Sequence, residues 1–245
     1  MYKKLIMEFL NKNVLKTSLL ILLTSLPFLS LAQQWEVLFN GTNFEGWNQK
    51  NGSANYEVID GAVVGSPVMN TPNSFMCTNK FYTDFIFELE VKLDGGLNSG
   101  IQFRSNSLPE YKNGRVHGYQ CELDPSDRKW TAGVYDESRR GWIYKLEDDP
   151  LAQSAFKVGE WNKIRIEAIG ASIRTWVNGT MCTNLVDGLT AEGFFGLQVH
   201  SIKKKSQLGN KVRWRNIRIL EKDLERYRWP VAAHAKEVIV DNTAQ

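Results

Sequence analysis

The chain has 245 residues, of which 42% are hydrophobic, 23% are charged and 11% are aromatic. This length and composition are typical of an ordinary globular protein with one sizeable core, and they exclude a clear second domain. Of the 30 basic and 27 acidic residues, four lysines and one glutamate lie in residues 1–32, which leaves 26 of each in the remainder. A formally neutral remainder argues against nucleic acid or an anionic membrane surface as a partner.

Residues 1–32 have the pattern of a secretory signal peptide. Four lysines precede the apolar run from Ser18 to Ala32, and Ser30 and Ala32 place small residues three and one before the expected cleavage site. The run contains Pro27 and is shorter than the ~20 apolar residues that a membrane-spanning helix needs. We therefore expect an exported protein, periplasmic or extracellular, that has no membrane contact after cleavage.

Cysteine is used sparingly for an exported chain. The three residues Cys77, Cys121 and Cys182 are an odd number, so at most one disulfide can form and one thiol is left over. Their spacing does not resemble that of a metal cluster. We expect no cofactor, although the pattern leaves a divalent metal open.

Short strands separated by Gly, Asn, Asp and Pro make up the chain from Trp35 onward. In chain order, the patterns predict strands over residues 36–39, 56–59, 62–64, 85–93, 99–104, 118–124, 130–135, 161–167, 172–177, 194–200 and 212–219. The predicted core consists of Phe85, Phe87, Leu89, Ile101, Phe103, Leu123, Leu197 and Val199. These strands predict an all-β sandwich or jelly roll over residues 33–220, followed by a peripheral C-terminal tail over residues 221–245.

Polar side chains occupy the face opposite the apolar row on several strands. We expect Glu88, Glu90 and Lys92 to be an ordinary water-facing row. The other three rows are Gln102 with Arg104, then Gln120 with Glu122 and Asp124, then Gln198 with His200. Neighbouring strands of a curved sheet would place these three rows on one shared face, where they form a candidate site.

The segment that follows the central strand adds aromatic and cationic groups. Tyr135, Arg139, Arg140 and Trp142 lie on a hairpin and its exit loop. Carboxylates, guanidinium groups and aromatic rings together are typical of a carbohydrate site, and Trp142 is the ring that we expect to touch the ligand. We expect Gln102, Gln120 and Gln198 to help bind the substrate. The alternative for the aromatic rings is that they pack the loop down.

Five ordered motifs carry a resemblance to a known family. They are Asn98–Arg104, Gly118–Asp124, Ala132–Tyr135, Gly193–His200 and Trp214–Arg218. Together they resemble the successive signatures of the 3-keto-disaccharide hydrolase domain family, and the likeness runs from Trp35 to Leu220. The resemblance implies a concanavalin A-like jelly roll of two antiparallel sheets with a concave sugar-binding face. Many members read Gly-Tyr-Glu-x-Gln-Ile at the central strand, whereas this chain exchanges the amide and the acid as Gln120 and Glu122.

The resemblance implies cleavage of a 3-keto-glycoside or 3-keto-disaccharide. The ketone acidifies the C2 proton, so a base can form an enolate and expel the group at C1 before water adds back. In this scheme Glu122 is the base, Arg104 or His200 stabilises the enolate, and Asp124 or His200 is the acid. A separate sugar 3-oxidoreductase is then the expected functional partner.

Two other functions are compatible with the same residues. A conventional hydrolase would use Glu122 and Asp124, whose ~7 Å separation along one strand face lies between the retaining and inverting values. A lectin-like module would bind sugar without cleaving it. The number of ionisable groups favours an enzyme. Glu122, Asp124 and His200 match no metal-ligand motif, so a metal site has no support from spacing.

The signal-peptide pattern makes a direct prediction about export. We expect the mature protein to begin at Gln33 or within a residue or two of it, because cleavage follows the small residue Ala32. Amino-terminal sequencing of native secreted material checks this. An intact start at Met1 or Met7 in that material would contradict it.

Overall fold

Strands are the main regular elements of residues 35–242, the part of the chain that this computed structural model describes. The strands of the first half are β1 Glu36–Val37, β2 Trp47–Lys50, β3 Asn55–Ile59, β4 Ala62–Ser66, β5 Ser74–Thr78, β6 Phe85–Leu93, β7 Ser99–Asn106 and β8 His117–Leu123. Those of the second half are β9 Val134–Glu137, β10 Gly141–Tyr144, β11 Asn162–Ile169, β12 Ser172–Val177, β13 Thr180–Val186, β14 Phe194–Val199, β15 Val212–Leu220 and β16 Val238–Ile239. Two short helices, α1 Pro150–Ser154 and α2 Leu224–Tyr227, and a 3-10 turn at Lys205–Gln207 complete the described elements. The predicted signal peptide lies outside the described residues.

The strands form two sheets, which we call the outer sheet and the cleft sheet. The outer sheet has the order β16-β13-β12-β11-β6-β15-β4-β3, with β1 also pairing with β15. The cleft sheet has the order β10-β9-β8-β7-β14-β5-β2. All pairs are antiparallel except β13 with β16. This confirms the predicted all-β jelly-roll sandwich.

The core lies between the inner faces of the two sheets. Every residue of the predicted core is buried there in one contiguous cluster. Phe195 of the cleft sheet joins the layers, because its ring centroid lies 4.2 Å from that of Phe87 and 4.7 Å from that of Phe85. Aromatic contacts of this kind add to the gain from burying apolar area, so they hold the sheets together.

Several predicted elements differ from the observed ones. The strand expected over residues 130–135 begins only at Val134, because Trp130 and Gly133 close a turn through a backbone hydrogen bond. The exit loop through Trp142 is a strand, β10. The three cysteines are all buried and unpaired. No helix among residues 35–242 is long and apolar enough to cross a bilayer.

The expectation that Glu88 faces water is wrong. Its side chain is 3% exposed on the outer face of β6, whereas Glu90 and Lys92 on the same face are half-buried. Arg165 and Arg218 donate to the two carboxylate oxygens of Glu88 at 2.9 and 2.6 Å. Although burial raises the pKa of Glu88, these bonds and one from a lysine hold it below its ordinary value.

The C-terminal tail docks on the outer sheet and contacts Arg165, one of the arginines that bond Glu88. The ring of Trp229 packs edge-on against Trp176 at 5.5 Å, and Arg165 lies 4.4 Å from the Trp229 ring. The carbonyl of Tyr227 accepts a bond from Arg165 at 2.6 Å. Strand β16 then extends the sheet beside β13. The tail therefore holds the side chain of Arg165, which bonds the buried Glu88, against the outer sheet.

The contacts of Arg165 lead to a prediction about the stability of the fold. Its guanidinium is 3% exposed and bonds both Glu88 and the buried Glu167, so Arg165→Ala leaves two buried carboxylates short of a cation. We expect the free energy of unfolding to fall by about 3 to 5 kcal/mol, measured by urea denaturation. Arg213→Ala is the matched control, because its pair with Asp94 is partly exposed and should cost about 1 kcal/mol or less. Equal losses in the two variants would contradict the assignment.

Candidate functional site

The face of the cleft sheet that points away from the core carries two cross-strand rows. In the first row, Gln102 pairs with Gln120, which pairs in turn with Tyr135, and Tyr135 pairs with Trp142. In the second row, Gln198 pairs with Gly100 and Gly100 with Glu122. Directly opposed residues of an antiparallel sheet share a face. The register therefore places these polar side chains side by side.

Gly100 makes room for the central amide of the site. A Cβ atom at Gly100 would lie 2.3 Å from the Cδ atom of Gln120, so the Gln120 side chain lies across the bare backbone of β7. No other residue type leaves this space. The glycine therefore serves the packing of Gln120.

Gln120 connects three neighbouring side chains. Its Oε1 accepts hydrogen bonds from Nε2 of Gln102 at 2.6 Å and from Nε2 of Gln198 at 2.9 Å. Its own Nε2 donates to Oε2 of Glu122 at 2.5 Å. Because the carbonyl end is saturated by two donors, the amide end is oriented toward the carboxylate.

Glu122 is a buried carboxyl group whose described hydrogen-bond partners are neutral. Nδ2 of Asn98 donates to its second oxygen at 2.6 Å, and the residue is 5% exposed. Burial raises the pKa of Glu122 to about 7, and the charges of Asp124 and Glu137 push it the same way, against the two amide bonds. A carboxyl group with a pKa near 7 exchanges protons readily at neutral pH.

Glu122 opens onto a cleft of about 290 Å³. The lining residues are Asn73, Asn98, Gln120, Glu122, Arg128, Tyr135, Glu137, Trp142, Gln198 and His200. The cleft therefore brings together six of the predicted residues: Gln120, Glu122, Tyr135, Trp142, Gln198 and His200. Gln102 lies beside them as a partner of Gln120 without lining the cleft. The cleft is open to solvent, so a ligand can enter along the face of the sheet.

Four lining residues, Asn73, Asn98, Arg128 and Glu137, were not predicted as site residues. Glu137 follows Tyr135 by two positions on β9, so strand alternation was a signal that could have found it. Burial raises the pKa of Glu137, whereas a bond from Ser138 and the charges of Arg115 and His200 lower it. The cleft thus contains two buried carboxyl groups.

His200 lies at the end of β14, half-buried beside the cleft. Its Nδ1 is 2.7 Å from the carbonyl oxygen of Ser201. A ring that donates through Nδ1 keeps Nε2 as its second position for a ligand or proton.

Asp124 and Arg128 form the rim of the cleft. Asp124 does not line it; one oxygen of Asp124 accepts from the backbone N–H of Ser126, and the other pairs with Arg128 at 2.8 Å. The guanidinium of Arg128 lies 5.5 Å from the ring of Trp142 and is half exposed. Asp124 therefore holds a cation at the edge of the cleft, and its own carboxylate does not line the cleft.

The predicted placement of Arg104 on the site face is also wrong. Arg104 has φ +45°, and the register of β7 with β8 shifts after Phe103, so the alternation of side chains breaks there. The guanidinium instead donates to the carbonyls of Thr83 and Gly170 and to the carboxylate of Asp84, each at 2.8 Å. Arg104 is 1% exposed and ties the ends of both sheets together.

Arg139 and Arg140 are likewise absent from the cleft. Both donate to the fully buried carboxylate of Asp136, at 2.7 and 2.5 Å, and Arg140 also pairs with Asp187 at 2.7 Å. Their guanidinium carbons lie 5.4 and 5.9 Å from the ring of Tyr119, which belongs to the core. Because Asp136 and Tyr135 are sequence neighbours on a strand, the arginines occupy the face opposite the cleft.

The position of Trp142 is compatible with both roles proposed from the sequence, contact with a ligand and packing of the loop. It lines the cleft, and its ring packs edge-on against Tyr135 at 5.4 Å and Trp130 at 4.9 Å. Contact with a ligand stays a prediction for this ring. Among residues 35–242, no three His, Cys, Asp or Glu side chains are arranged to hold a metal ion.

The raised pKa of Glu122 predicts a pH-dependent stability. Between pH 4.5, its ordinary pKa, and about 7, the folded protein holds a proton that the unfolded chain releases, so stability falls as pH rises. Glu122→Gln removes this titration. The free energy of unfolding of wild type relative to the variant should therefore drop by roughly 3 kcal/mol across that window and stay level above it.

Chemical denaturation at a series of pH values measures this difference. Glu57→Gln, an exposed position on β3, is the control for loss of one carboxyl group. A difference between wild type and Glu122→Gln that does not change with pH would contradict the assignment.

Comparison with known proteins identifies the family to which the chain is similar. Residues 34–220 match the family model of the 3-keto-alpha-glucoside-1,2-lyase-like domain, which confirms the resemblance found in the motifs. No curated protein matches the chain significantly.

Three solved structures share the fold. A candidate glycosyl hydrolase from Parabacteroides distasonis ATCC 8503 is 21% identical, with 78% of this chain and 95% of the other covered and a TM-score of 0.57. The carbohydrate-binding module CBM66 from Bacillus subtilis is 18% identical, with 71% and 95% covered and a TM-score of 0.52. A Bacillus subtilis protein of unknown function with a galectin-like fold is 11% identical, with 77% and 94% covered and a TM-score of 0.56. Identities this low establish the fold alone. Because the family match spans most of the chain, the protein belongs to the 3-keto-α-glucoside-1,2-lyase-like domain family.

Proposed function

We propose that this protein cleaves 3-keto-glycosides, including 3-keto-disaccharides, by removing the C2 proton, eliminating the group at C1 and then adding water. Family membership supports a carbohydrate-related function. The observation that carries the proposal is Glu122, a buried carboxyl group in an open polar cleft, with a pKa of about 7. A base with this pKa can take a weakly acidic proton at neutral pH and return it.

Glu122 acts first in the proposed sequence. Its carboxylate takes the C2 proton, and the C–H electron pair forms a C2=C3 double bond while the ketone oxygen becomes an enolate. Gln120 and Asn98 hold the two carboxylate oxygens at 2.5 and 2.6 Å, so the base is fixed before substrate arrives. Neutral amide donors hold the carboxylate in place and leave it basic. A guanidinium partner would hold it too, but it would lower the pKa of the carboxyl group and so weaken the base.

Two residues at the cleft stabilise the enolate. Arg128 lies at the rim and His200 lines the cleft, so these two residues replace the sequence-based pair of Arg104 and His200. The charge of the Arg128 guanidinium opposes the negative charge that develops on the sugar oxygen, and His200 adds a polar ring to the same wall.

Collapse of the enolate restores the ketone, forms a C1=C2 double bond and breaks the bond from C1 to the leaving oxygen. Glu137 is the group that protonates this oxygen, because its carboxyl group lies in the same cleft. The Glu137 carboxylate then takes a proton from water as the water oxygen adds at C1, the C1=C2 electron pair moves to C2, and C2 recovers the proton held by Glu122. The net reaction is hydrolysis of the glycosidic bond.

The substrate of this scheme must first be oxidised at C3 by another enzyme. We infer a sugar 3-oxidoreductase as the functional partner, and we place both proteins outside the cytoplasm on the basis of the signal-peptide pattern.

Two alternatives make different demands on the same cleft. Direct hydrolysis by two carboxyl groups would now use Glu122 with Glu137, since Asp124 is occupied by Arg128. A binding module would need only the aromatic and amide groups, and similarity to CBM66 keeps this function in view. Burying carboxyl groups lowers the stability of the folded protein, and a lectin for neutral sugars has no need of such groups.

Turnover measurements on wild type and Glu122→Gln are the first test of the proposed function against its two alternatives. We expect wild type to release aglycone from 3-oxidised glycosides and not from the unoxidised ones. Glu122→Gln should lower kcat by roughly 10²- to 10⁴-fold with little change in binding, because the isosteric amide keeps the hydrogen bonds of the site but removes the base. Glu57→Gln, an exposed carboxyl change on the outer sheet, should retain full activity. Full activity in Glu122→Gln would show that Glu122 is not the base.

Deuterium at C2 tests the route itself. Proton abstraction predicts a primary isotope effect or exchange of the C2 hydrogen with solvent during turnover. Turnover with neither signal would favour direct displacement by Glu122 and Glu137. Binding of sugar without any turnover, native or oxidised, would favour the binding module.

A further inference from the structure

A second hollow adjoins the cleft on the same face of the cleft sheet. It has a volume of about 260 Å³ and shares two lining residues with the cleft, Asn73 and Glu137. Phe75 contributes an aromatic ring to it, and Lys112 and Arg115 contribute cationic side chains. A ligand that enters the cleft can therefore extend past Glu137 into this hollow.

The loop between β7 and β8, residues 107–116, forms one side of the hollow. We call it the roof loop. Asn51 holds it in place, because its Nδ2 donates to the carbonyl of Gly114 at 3.1 Å and its Oδ1 accepts from the N–H of Val116 at 2.7 Å. Val116 is fully buried in a small apolar cluster with Phe75 and Phe194. The roof loop is thus anchored at both its polar and apolar sides, and the hollow is preformed.

The charge of the hollow is predominantly positive. The guanidinium of Arg115 is exposed and has no hydrogen bond or ion pair with any residue between 35 and 242. Lys112 donates to the carbonyl of Ser138 at 2.6 Å and so keeps its charge at the wall. The facing carboxyl group is Glu137, which is buried and bonded by the hydroxyl of Ser138 at 3.2 Å.

The cationic wall of the hollow is suited to one kind of ligand. Arg104, Arg128, Arg139, Arg140 and Arg165 each form a direct ion pair with a carboxylate of the protein. Arg115 lines the hollow beside Lys112 and acts on Glu137 across it without a direct ion pair, so a carboxylate of the ligand would supply that pair.

We propose that this hollow binds the leaving group and selects leaving groups that carry a carboxylate. The inference rests on the proposed function, since it places the bond that breaks at the junction marked by Glu137. The shared chemistry is an anionic leaving group, supplied either by an aromatic acid or by a uronate sugar.

Binding to the Glu122→Gln variant tests the hollow without requiring turnover. The probes are 4-carboxyphenyl and 4-carbamoylphenyl 3-ketoglucosides of both anomers, which have nearly the same shape and differ by one charge. We expect the carboxylate probe to bind roughly three- to tenfold tighter by calorimetry, and the preference to shrink as salt is added. A second pair, 3-ketoglucosyl disaccharides ending in glucuronate or in glucose, distinguishes a uronate from an aromatic acid.

Arg115→Gln, combined with Glu122→Gln, should abolish the preference. Arg226→Gln is the matched control, because Arg226 is exposed on α2, on the docked tail of the outer sheet. Equal affinity for charged and neutral probes in both pairs, or a preference that survives Arg115→Gln, overturns the proposal.

Aglycone release by wild type tests the reaction separately. Release from both phenyl probes without a charge preference contradicts the hollow alone. A charge preference in binding with no release from any probe contradicts the proposed reaction and still supports an anion-binding hollow.

Discussion

The site depends on one interaction, the hydrogen bond from the Gln120 amide to the buried Glu122 carboxylate. That bond requires the Gln120 side chain to lie across β7, which Gly100 permits, and it requires Gln102 and Gln198 to saturate the carbonyl end. Three neighbouring strands, β7, β8 and β14, are thereby committed to one geometry. The carboxyl group that results is held in place, yet it keeps a pKa of about 7 because burial outweighs two neutral donors.

Strand alternation explains which predictions about the site were right. The rows of Gln120 with Glu122 and of Gln198 follow uninterrupted alternation, and the structure brings them together as the sequence indicated. Arg104 failed because a residue with positive φ interrupts β7, and no residue type in Phe103–Ser105 signals that bulge. The arginines after β9 failed for a different reason: both bond Asp136 on the far face of β9, and residues after β13 hold them there, Thr190 for Arg139 and Asp187 for Arg140. Sequence distance hides the contacts with Thr190 and Asp187.

The fold was far more predictable than the site. Alternating apolar residues specified the core, since a one-residue slip of any strand would expose it. The burial of Glu88 was not accessible in the same way, because it follows from arginines on two other strands, Arg165 on β11 and Arg218 on β15, rather than from the strand that contains Glu88. Local pattern therefore assigns faces correctly only where nothing distant in the chain covers them.

Glu88 and Glu122 show how one fold uses two similar residues in opposite ways. Both are glutamates on central strands, and both are about 5% exposed or less. Two arginines and a lysine surround Glu88 and hold its pKa below the ordinary value, so the charged form is favoured. Only amides contact Glu122, and its pKa rises instead. A carboxyl group that is buried, left without a cationic hydrogen-bond partner and open to a cleft costs stability, and the proposed proton transfer gives a physical reason to retain it.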